Sequence, residues 1–290
     1  MTYVNNPVFG GFMLENESRV NIGERVPYPF DDMSACGMVS SDEAMLIMAT
    51  KFYHDNLNLN ERAKKYLIER SIFNDQVINH FNLGFADRTL GLRLQKLDKS
   101  EEEVSRGSLL RLGLLKSSGH ELFYGAITFP ILNQERQMVG CYGRRITPKL
   151  GSKSFYYVHW KTSEAGFFNV QALQVSESII CCKNPIDALS WWVNGFTNVV
   201  STISGHDFAK SHVAMLQACA IKCIYLAMGT TESALIEARR IAKLLKKQRI
   251  TVFLVLYPNG LDANSFILQS NNPQEGLQQL LTLSHRYVVN

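Results

Sequence analysis

The chain has 290 residues, of which 46% are hydrophobic and 19% are charged, a composition typical of globular proteins and not of disordered or fibrous chains. Its longest apolar runs, such as residues 250–257, are far shorter than the roughly 20 residues of a membrane-spanning helix. No basic region followed by an apolar block opens the sequence, so we expect a cytoplasmic protein without membrane association. A net charge of +4 favours a polyanionic partner only weakly.

The first half of the chain predicts helices followed by strands. Residues 1–40 show no sustained apolar period, so we expect an irregular N-terminal arm. Helical periodicity predicts helices at 41–57 and 60–71, with Tyr66 as one of the apolar positions of the second. An acidic segment at 97–107 is expected to be solvated. Strands are predicted at 122–132, 137–146 and 154–160, with a hairpin turn at 133–136.

From about residue 174 the pattern becomes a strict alternation of strand and helix. Predicted strands at 178–182, 198–202, 222–228 and 251–257 are separated by predicted helices at 186–194, 207–219 and 232–249. This succession requires right-handed crossovers, which place the strands in a mostly parallel sheet. We therefore expect an arm over 1–40, an α+β domain over 41–170, and an α/β domain with a C-terminal extension over 171–290.

Cysteine usage predicts reduced thiols and no structural metal. The chain has six cysteines: Cys36, Cys141, Cys181, Cys182, Cys219 and Cys223. They form no C-x-x-C pair and no Cys/His cluster with zinc spacing. Two thiolates such as Cys219 and Cys223 would leave a tetrahedral zinc half-coordinated, so we expect no metal or other cofactor bound through cysteines.

A segment at residues 143–161 combines basic and aromatic side chains. This mixture suits phosphate contacts beside base-stacking surfaces. The alternative is a β-rich surface whose aromatic rings point into the core, and periodicity alone does not decide between them. The basic residues are Arg144, Arg145, Lys149, Lys153 and Lys161, and the aromatic residues are Phe155, Tyr156, Tyr157 and Trp160.

A strand, a tight turn and a helix follow one another at residues 179–192. Four apolar residues are followed by Lys183, Asn184 and Pro185, and Asp187 lies in the first turn of the predicted helix. Open α/β sheets place their chemistry at such carboxyl ends of strands. The turn is therefore either an active site or what remains of one.

Several motifs occur in a fixed order before this turn. They are FYHDNLNLNERAKKYLIERSI, INHFNLGFAD, LGLL and ITFPILNQERQMVGCYGRR. With the alternating region that follows, their order and spacing resemble the catalytic core of bacterial DnaG-type primases, over about residues 41–270. The resemblance implies an α+β primase-core subdomain followed by a Toprim-like domain. We expect a core without the zinc-binding and helicase-binding domains that the family's usual members carry.

The resemblance also implies a degenerate metal site. Toprim domains hold a divalent metal ion with acidic residues at three strand ends, and only two of the six corresponding positions here are acidic, Asp187 and Asp262. The other four positions are Lys183, Gly229, Thr231 and Asn264.

Loss of these acids predicts loss of metal binding, because Mg²⁺ requires oxygen ligands. Lys183 adds a positive charge that repels the ion and is expected to form a salt bridge with Asp187. Glu232, one residue past Thr231, is either a substitute ligand or an acid that opens a helix. We predict no competent metal site, and Mg²⁺ as a cofactor only if the chain is an active primase.

The resemblance implies that the middle region grips template DNA, with Arg144 and Lys153 where the family usually has an arginine and a lysine. The alternatives are solvated strand-end charges for these two residues, a plain turn residue for Lys183, and a helix-start acid for Asp187. The predicted nucleic-acid-binding residues are Arg144, Arg145, Lys149, Lys153, Tyr157, Trp160 and Lys183.

Three functional hypotheses remain at this stage. The preferred one is a catalytically inactive primase-like protein that binds single-stranded or template DNA, or a replication partner such as a helicase or polymerase, in a phage or mobile element. The second is an active primase with a rearranged or partner-supplied metal site. The third is a protein-interaction subunit without a nucleic-acid role, which would use its N-terminal arm or a surface formed by Trp191 and Trp192.

Overall fold

The computed structural model describes residues 41–146 and 156–284, which fall into two compact units. The described part of the first unit contains residues 41–130, 136–146 and 156–162, and that of the second contains Ile131–Glu135 and residues 163–284. The arm predicted over 1–40 lies outside the described residues, and the boundary predicted after residue 170 stays a prediction. In the described ranges no helix has the length and hydropathy to cross a membrane.

Three helices of the first unit begin at polar side chains that cap them. Asn60 accepts a hydrogen bond from the backbone N–H of Ala63 at the start of α2, and Asp98 accepts one from Glu101 at the start of α5. Such caps satisfy N–H groups that have no partner inside the helix. The helices are α1 (Ser41–Leu59), α2 (Glu61–Glu69), α3 (Asp75–His80), α4 (Leu90–Leu94) and α5 (Lys99–Arg111).

Helix α5 includes most of the segment expected only to be acidic and solvated. Glu101 and Glu103 are exposed, while Ser105, Ser108 and Leu109 are buried. Two of these three buried residues are serines, so the segment lacks the apolar period that marks an amphipathic helix. The tertiary contacts of α5 with α1 and α4 compensate for that weak pattern.

The first unit contains a sheet of four strands in the order of the chain. Its strands are β1 (Gly84–Phe85), β2 (Ala126–Leu132), β3 (Met138–Arg145) and β4 (Tyr157–Lys161). The hairpin predicted between residues 133 and 136 joins β2 to β3. Strand β2 begins later than predicted because Gly125 has a φ of 67°, which belongs to a turn and not to a strand. One face of β3 and β4 packs through Cys141 and Val158 into the core.

The second unit contains a parallel sheet, as predicted. Its strands are β5 (Ser178–Cys182), β6 (Val199–Ser201), β7 (Cys223–Ala227) and β8 (Thr251–Leu254), in the order β6-β5-β7-β8, and all three pairings are parallel. The helices are α6 (Pro185–Trp192), α7 (Lys210–Ala218), α8 (Glu232–Lys246), α9 (Ala263–Gln269) and α10 (Pro273–Ser284).

Helix α6, which follows the turn at Lys183, is buried along its whole length. Trp191 is 0% exposed and Trp192 is 4% exposed, and the indole N–H of Trp191 donates to the hydroxyl of Tyr257 at 2.9 Å. The surface hypothesised for these two tryptophans is therefore wrong. Their hydrophobic rings belong to the core, where burying them stabilises the fold.

Candidate functional site

The turns that follow β5 and β7 lie at one edge of the parallel sheet. Lys183 comes directly after β5, and Gly229 comes two residues after β7. The strand ends are in register, since Cys182 pairs with Ala227. A β-carbon placed on Gly229 would lie 3.7 Å from the β-carbon of Asp262. The fold therefore brings the predicted remnant positions together at the carboxyl edge.

Asp187 is buried, with 1% of its surface exposed, and both of its carboxylate oxygens accept hydrogen bonds from the protein. Oδ2 accepts from the side-chain amide of Asn184 at 2.7 Å, and Oδ1 accepts from the backbone N–H of Asn264 at 3.3 Å. Asn184 also caps α6 by accepting from the N–H of Asp187 at 3.1 Å. The carboxylate thus joins α6 to the start of α9.

The environment of Asp187 also weakens it as a ligand. Burial, and then the negative charge of Asp262, raise the pKa of the Asp187 carboxyl to about 7. Lys183 is exposed, and its charge offsets only part of that rise. The salt bridge expected between Lys183 and Asp187 does not form, and the oxygens of Asp187 accept hydrogen bonds from Asn184 and Asn264. A carboxyl that is half protonated near neutral pH attracts a cation weakly.

Asn264 and Asp262 have structural roles at the start of α9. The side-chain amide of Asn264 donates to the hydroxyl of Ser190 on α6 at 2.9 Å. Asp262 caps α9 by accepting from the N–H of Ser265 at 2.9 Å. Asp262 is therefore a helix cap as well as one of the two remaining acids.

The loop after β7 offers no acidic replacement. Gly229 has a φ of 92°, a conformation that costs a residue with a side chain roughly 1–3 kcal/mol. Thr231 caps α8 by accepting from the N–H of Ala234 at 3.3 Å. Glu232 is the first residue of α8 and is exposed, where its charge stabilises the positive end of the helix dipole. Of the two roles that the sequence allowed for Glu232, the structure shows the acid at the start of a helix.

These donors do not fit a divalent metal ion such as Mg²⁺, which prefers several ionised or carbonyl oxygens around it. Asp187 is buried with its pKa raised to about 7, and the first acid position holds the ammonium group of Lys183. In the part of the chain that the structure describes, no group of three or more His, Cys, Asp or Glu residues has the geometry of a metal site.

A second candidate site lies in the first unit, on the face of β3 and β4 opposite the one that holds Cys141 and Val158. Arg144 pairs with Tyr157 across the two strands, and its guanidinium lies 4.5 Å from the centre of the Tyr157 ring and 5.5 Å from that of Tyr156. The Nε–H of Arg144 donates to the hydroxyl of Tyr66 on α2 at 3.1 Å. We call Tyr66, Arg144, Tyr156 and Tyr157 the Arg144 cluster.

The Arg144 cluster presents both charge and an exposed ring. Tyr157 is 47% exposed and Arg144 is half-buried. Within the described residues the two terminal nitrogens of Arg144 donate to no protein acceptor, since its one hydrogen bond uses Nε. A guanidinium whose orientation is fixed and whose terminal donors remain available suits a phosphate oxygen.

The other predicted contacts in this segment lie elsewhere. Arg145 is 8% exposed and donates to the carbonyls of Tyr124 and Leu122 at 3.3 and 3.1 Å. Trp160 lies on the opposite face from Tyr157, where its indole N–H donates to the carbonyl of Leu112 at 2.6 Å. Both side chains therefore hold the first unit together.

Two further predicted contacts, Lys149 and Lys153, lie outside the described residues. Tyr66 was interpreted from the sequence only as an apolar position of a helix. Its hydroxyl contact with Arg144 joins residues 78 positions apart, and helical periodicity contains no signal for such a contact.

Comparison with known proteins agrees with these two units. Residues 52–168 match the family described as the DNA primase catalytic core, N-terminal domain, and residues 180–267 match the Toprim-like family. The chain thus combines a domain of the DNA primase catalytic-core family with a Toprim-like domain, and the curated proteins to which it is similar include DNA primases.

Individual relatives show how far the similarity extends. The DNA primase of Campylobacter jejuni is 26% identical over 241 residues, which are 79% of this chain and 39% of that protein. The crystal structure of the Aquifex aeolicus primase, with zinc-binding and RNA polymerase domains, aligns with a TM-score of 0.72 at 20% identity, over 87% of this chain and 64% of that one.

A structure of a DnaG primase catalytic domain bound to single-stranded DNA aligns with a TM-score of 0.69 at 16% identity, over 84% of this chain and 81% of that one. At these identities both structural alignments establish the fold alone. The chain spans 39% of the length of its Campylobacter relative.

Proposed function

We propose that this chain is a primase-like core of DNA replication that binds single-stranded or template DNA without synthesising primers. The observation that carries this proposal is the contrast between Arg144 and Asp187. The terminal nitrogens of Arg144 have no protein acceptor in the described structure, so they can bind a phosphate. Asp187 is buried, its pKa is raised to about 7 and Lys183 holds the neighbouring acid position, so it is a poor ligand for the ions on which phosphoryl transfer depends.

Arg144 and Tyr157 supply the two kinds of contact that single strands use. A guanidinium neutralises a phosphate and releases counterions, which makes the affinity depend on salt. An exposed ring stacks on a base and adds about 1–3 kcal/mol that salt affects less. A DnaG catalytic domain of the same fold has been solved with single-stranded DNA, which supports this class of ligand.

Lys183 is the candidate phosphate-binding residue of the second unit. It is exposed directly after β5, at a strand end where open α/β sheets bind ligands. We propose that its ammonium group contacts a phosphate directly, without an intervening metal ion. The change Lys183→Glu then weakens binding in the presence of a chelator, whereas unchanged affinity would assign Lys183 to the turn alone.

Two assays on the same preparation test the proposal. Fluorescence anisotropy with a labelled single strand should show binding that weakens as salt rises, and primer synthesis from ribonucleotides with Mg²⁺ or Mn²⁺ should give no product. Primer synthesis that is lost in the Asp187→Ala variant would establish an active site and overturn the catalytic part. A folded protein that binds no strand at low salt would overturn the DNA-binding part.

A further inference from the structure

Helix α2 has no functional role in the proposal above, yet it supplies the hydrogen-bond acceptor for Arg144. The hydroxyl oxygen of Tyr66 accepts from Nε of the guanidinium at 3.1 Å. The Tyr66 ring is held in turn by Arg70, whose guanidinium carbon lies 5.3 Å from the ring centre. One turn before Tyr66, Arg62 donates to the carbonyl of Ile146 at 2.7 Å, which holds α2 to the end of β3.

These contacts leave Arg144 little freedom to rotate. Two tyrosine rings lie against the guanidinium, and the bond to Tyr66 fixes the direction of its Nε edge. Because the guanidinium group is planar and rigid, fixing its Nε atom also fixes the positions of its two terminal nitrogens. An arginine that is already ordered loses less side-chain entropy on binding than a mobile one.

We propose that Tyr66 is a positioning residue, whose hydroxyl orients Arg144 for a phosphate of the bound nucleic acid strand. This inference rests on the proposed DNA-binding function and assigns a part of that function to α2. The Tyr66 hydroxyl acts through Arg144 and need not touch the strand itself. Its effect on binding must therefore disappear when Arg144 is absent.

A double-mutant cycle tests this dependence. Affinity for a labelled single strand is measured for wild type, Tyr66→Phe, Arg144→Gln and the double variant, with urea unfolding to verify folding. Tyr66→Phe keeps the ring and removes one hydrogen bond to a charged group, so binding should weaken about fivefold or more. In the Arg144→Gln background the same change should have no effect.

Salt dependence separates positioning from loss of charge. Arg144→Gln removes one phosphate contact and should lower the slope of log affinity against log salt by about 0.7. Tyr66→Phe keeps the guanidinium charge and should leave the slope nearly unchanged. Tyr124→Phe is the matched control outside the Arg144 cluster and should leave binding unchanged, because the Tyr124 ring also lies against a guanidinium, that of Arg145, while its hydroxyl makes no hydrogen bond within the described residues.

A readout without DNA keeps this inference separate from the proposed function. The Nε–H signal of Arg144 in a ¹⁵N–¹H spectrum, assigned by its loss in Arg144→Gln, should be protected from exchange in wild type and lose that protection in Tyr66→Phe. Equal protection and equal affinity in Tyr66→Phe and wild type would overturn the positioning role and leave DNA binding intact. Absence of strand binding by folded wild type would overturn the proposed function and this role with it.

Discussion

The carboxyl edge of the parallel sheet and the Arg144 cluster both hold charged groups, but those groups are used differently. At the sheet edge, both oxygens of Asp187 accept hydrogen bonds from Asn184 and Asn264. In the Arg144 cluster, one nitrogen of Arg144 binds Tyr66 and the two terminal nitrogens donate to no described protein group. Asp187 keeps a lone pair on each oxygen, but its burial and raised pKa make it a weak site for a cation, whereas Arg144 keeps both its full charge and its terminal donors.

Two neighbouring arginines provide the largest expected effect. Arg145→Gln should lower the free energy of unfolding by about 3 kcal/mol, because two partly buried carbonyls lose their donor and the Tyr124 ring loses a stacked cation. Arg144→Gln is the matched control and should cost about half as much, because it loses one side-chain hydrogen bond and leaves no backbone carbonyl without its donor. Urea unfolding of both variants measures the difference, and equal losses would contradict the division between a structural and a ligand-binding arginine.

The pH dependence of stability tests the role of Asp187. Its folded pKa of about 7 lies above its ordinary value of 3.8, so between these values the folded protein binds more protons than the unfolded chain. Stability contributed by the protonated carboxyl is therefore present below about pH 4 and is lost as pH rises toward 7. At roughly 1.4 kcal/mol per pKa unit, we expect a loss of about 2 kcal/mol or more.

The Asp187→Asn variant isolates this contribution, since the amide does not titrate. Urea unfolding at pH 4.5 and 7.5 should show that wild type loses more stability with rising pH than the variant does. A wild type and a variant with parallel pH profiles would show that the carboxyl is ionised throughout. An ionised Asp187 would make the sheet edge a better site for a cation than its raised pKa indicates.

On the Arg144 cluster, Arg144→Gln should weaken the binding of a short single strand about tenfold at low salt, because a charge-assisted bond to phosphate is lost. Tyr157→Ala should weaken binding by a similar factor with little change in salt dependence. Anisotropy titrations at several salt concentrations distinguish the two. A strand that binds both variants as tightly as wild type would place the interface elsewhere.

The smallest expected effect concerns Gly229. Gly229→Ala should lower the free energy of unfolding by about 1 kcal/mol, because its φ of 92° disfavours any side chain. Gly229→Asp should lose a similar amount, and millimolar Mg²⁺ should not restore it. Stabilisation of Gly229→Asp by Mg²⁺ in thermal unfolding would show that the site can be rebuilt by a single acid.

The order of elements was predictable where one pattern dominates. The apolar run ending at Cys182 and the alternation after it correctly predicted a parallel sheet, because buried parallel strands read as continuous apolar runs. Helix α5 was missed because its buried face includes Ser105 and Ser108. The opposite faces of Tyr157 and Trp160 follow from the period of two in a strand, once the structure fixes which face is buried.

Contacts between distant residues were not predictable. The identities of Lys183 and Asn264 indicated a damaged acid cluster, but the pairing of Asp187 with Asn264 joins residues 77 positions apart. The sequence suggested instead an ion pair with Lys183, the nearest cation along the chain. Likewise, two adjacent arginines in one strand point to opposite faces, and only packing decides that Arg145 is the buried one.

The most direct test of the account is strand binding with and without divalent metal. A labelled single strand is titrated with the protein in EDTA and in Mg²⁺ at matched ionic strength, and Arg144→Gln is measured beside wild type. The account predicts the same wild-type affinity in both buffers and a weaker variant in each. Binding that requires Mg²⁺ and is abolished by Asp187→Ala would contradict it, because the sheet edge would then hold a working metal site.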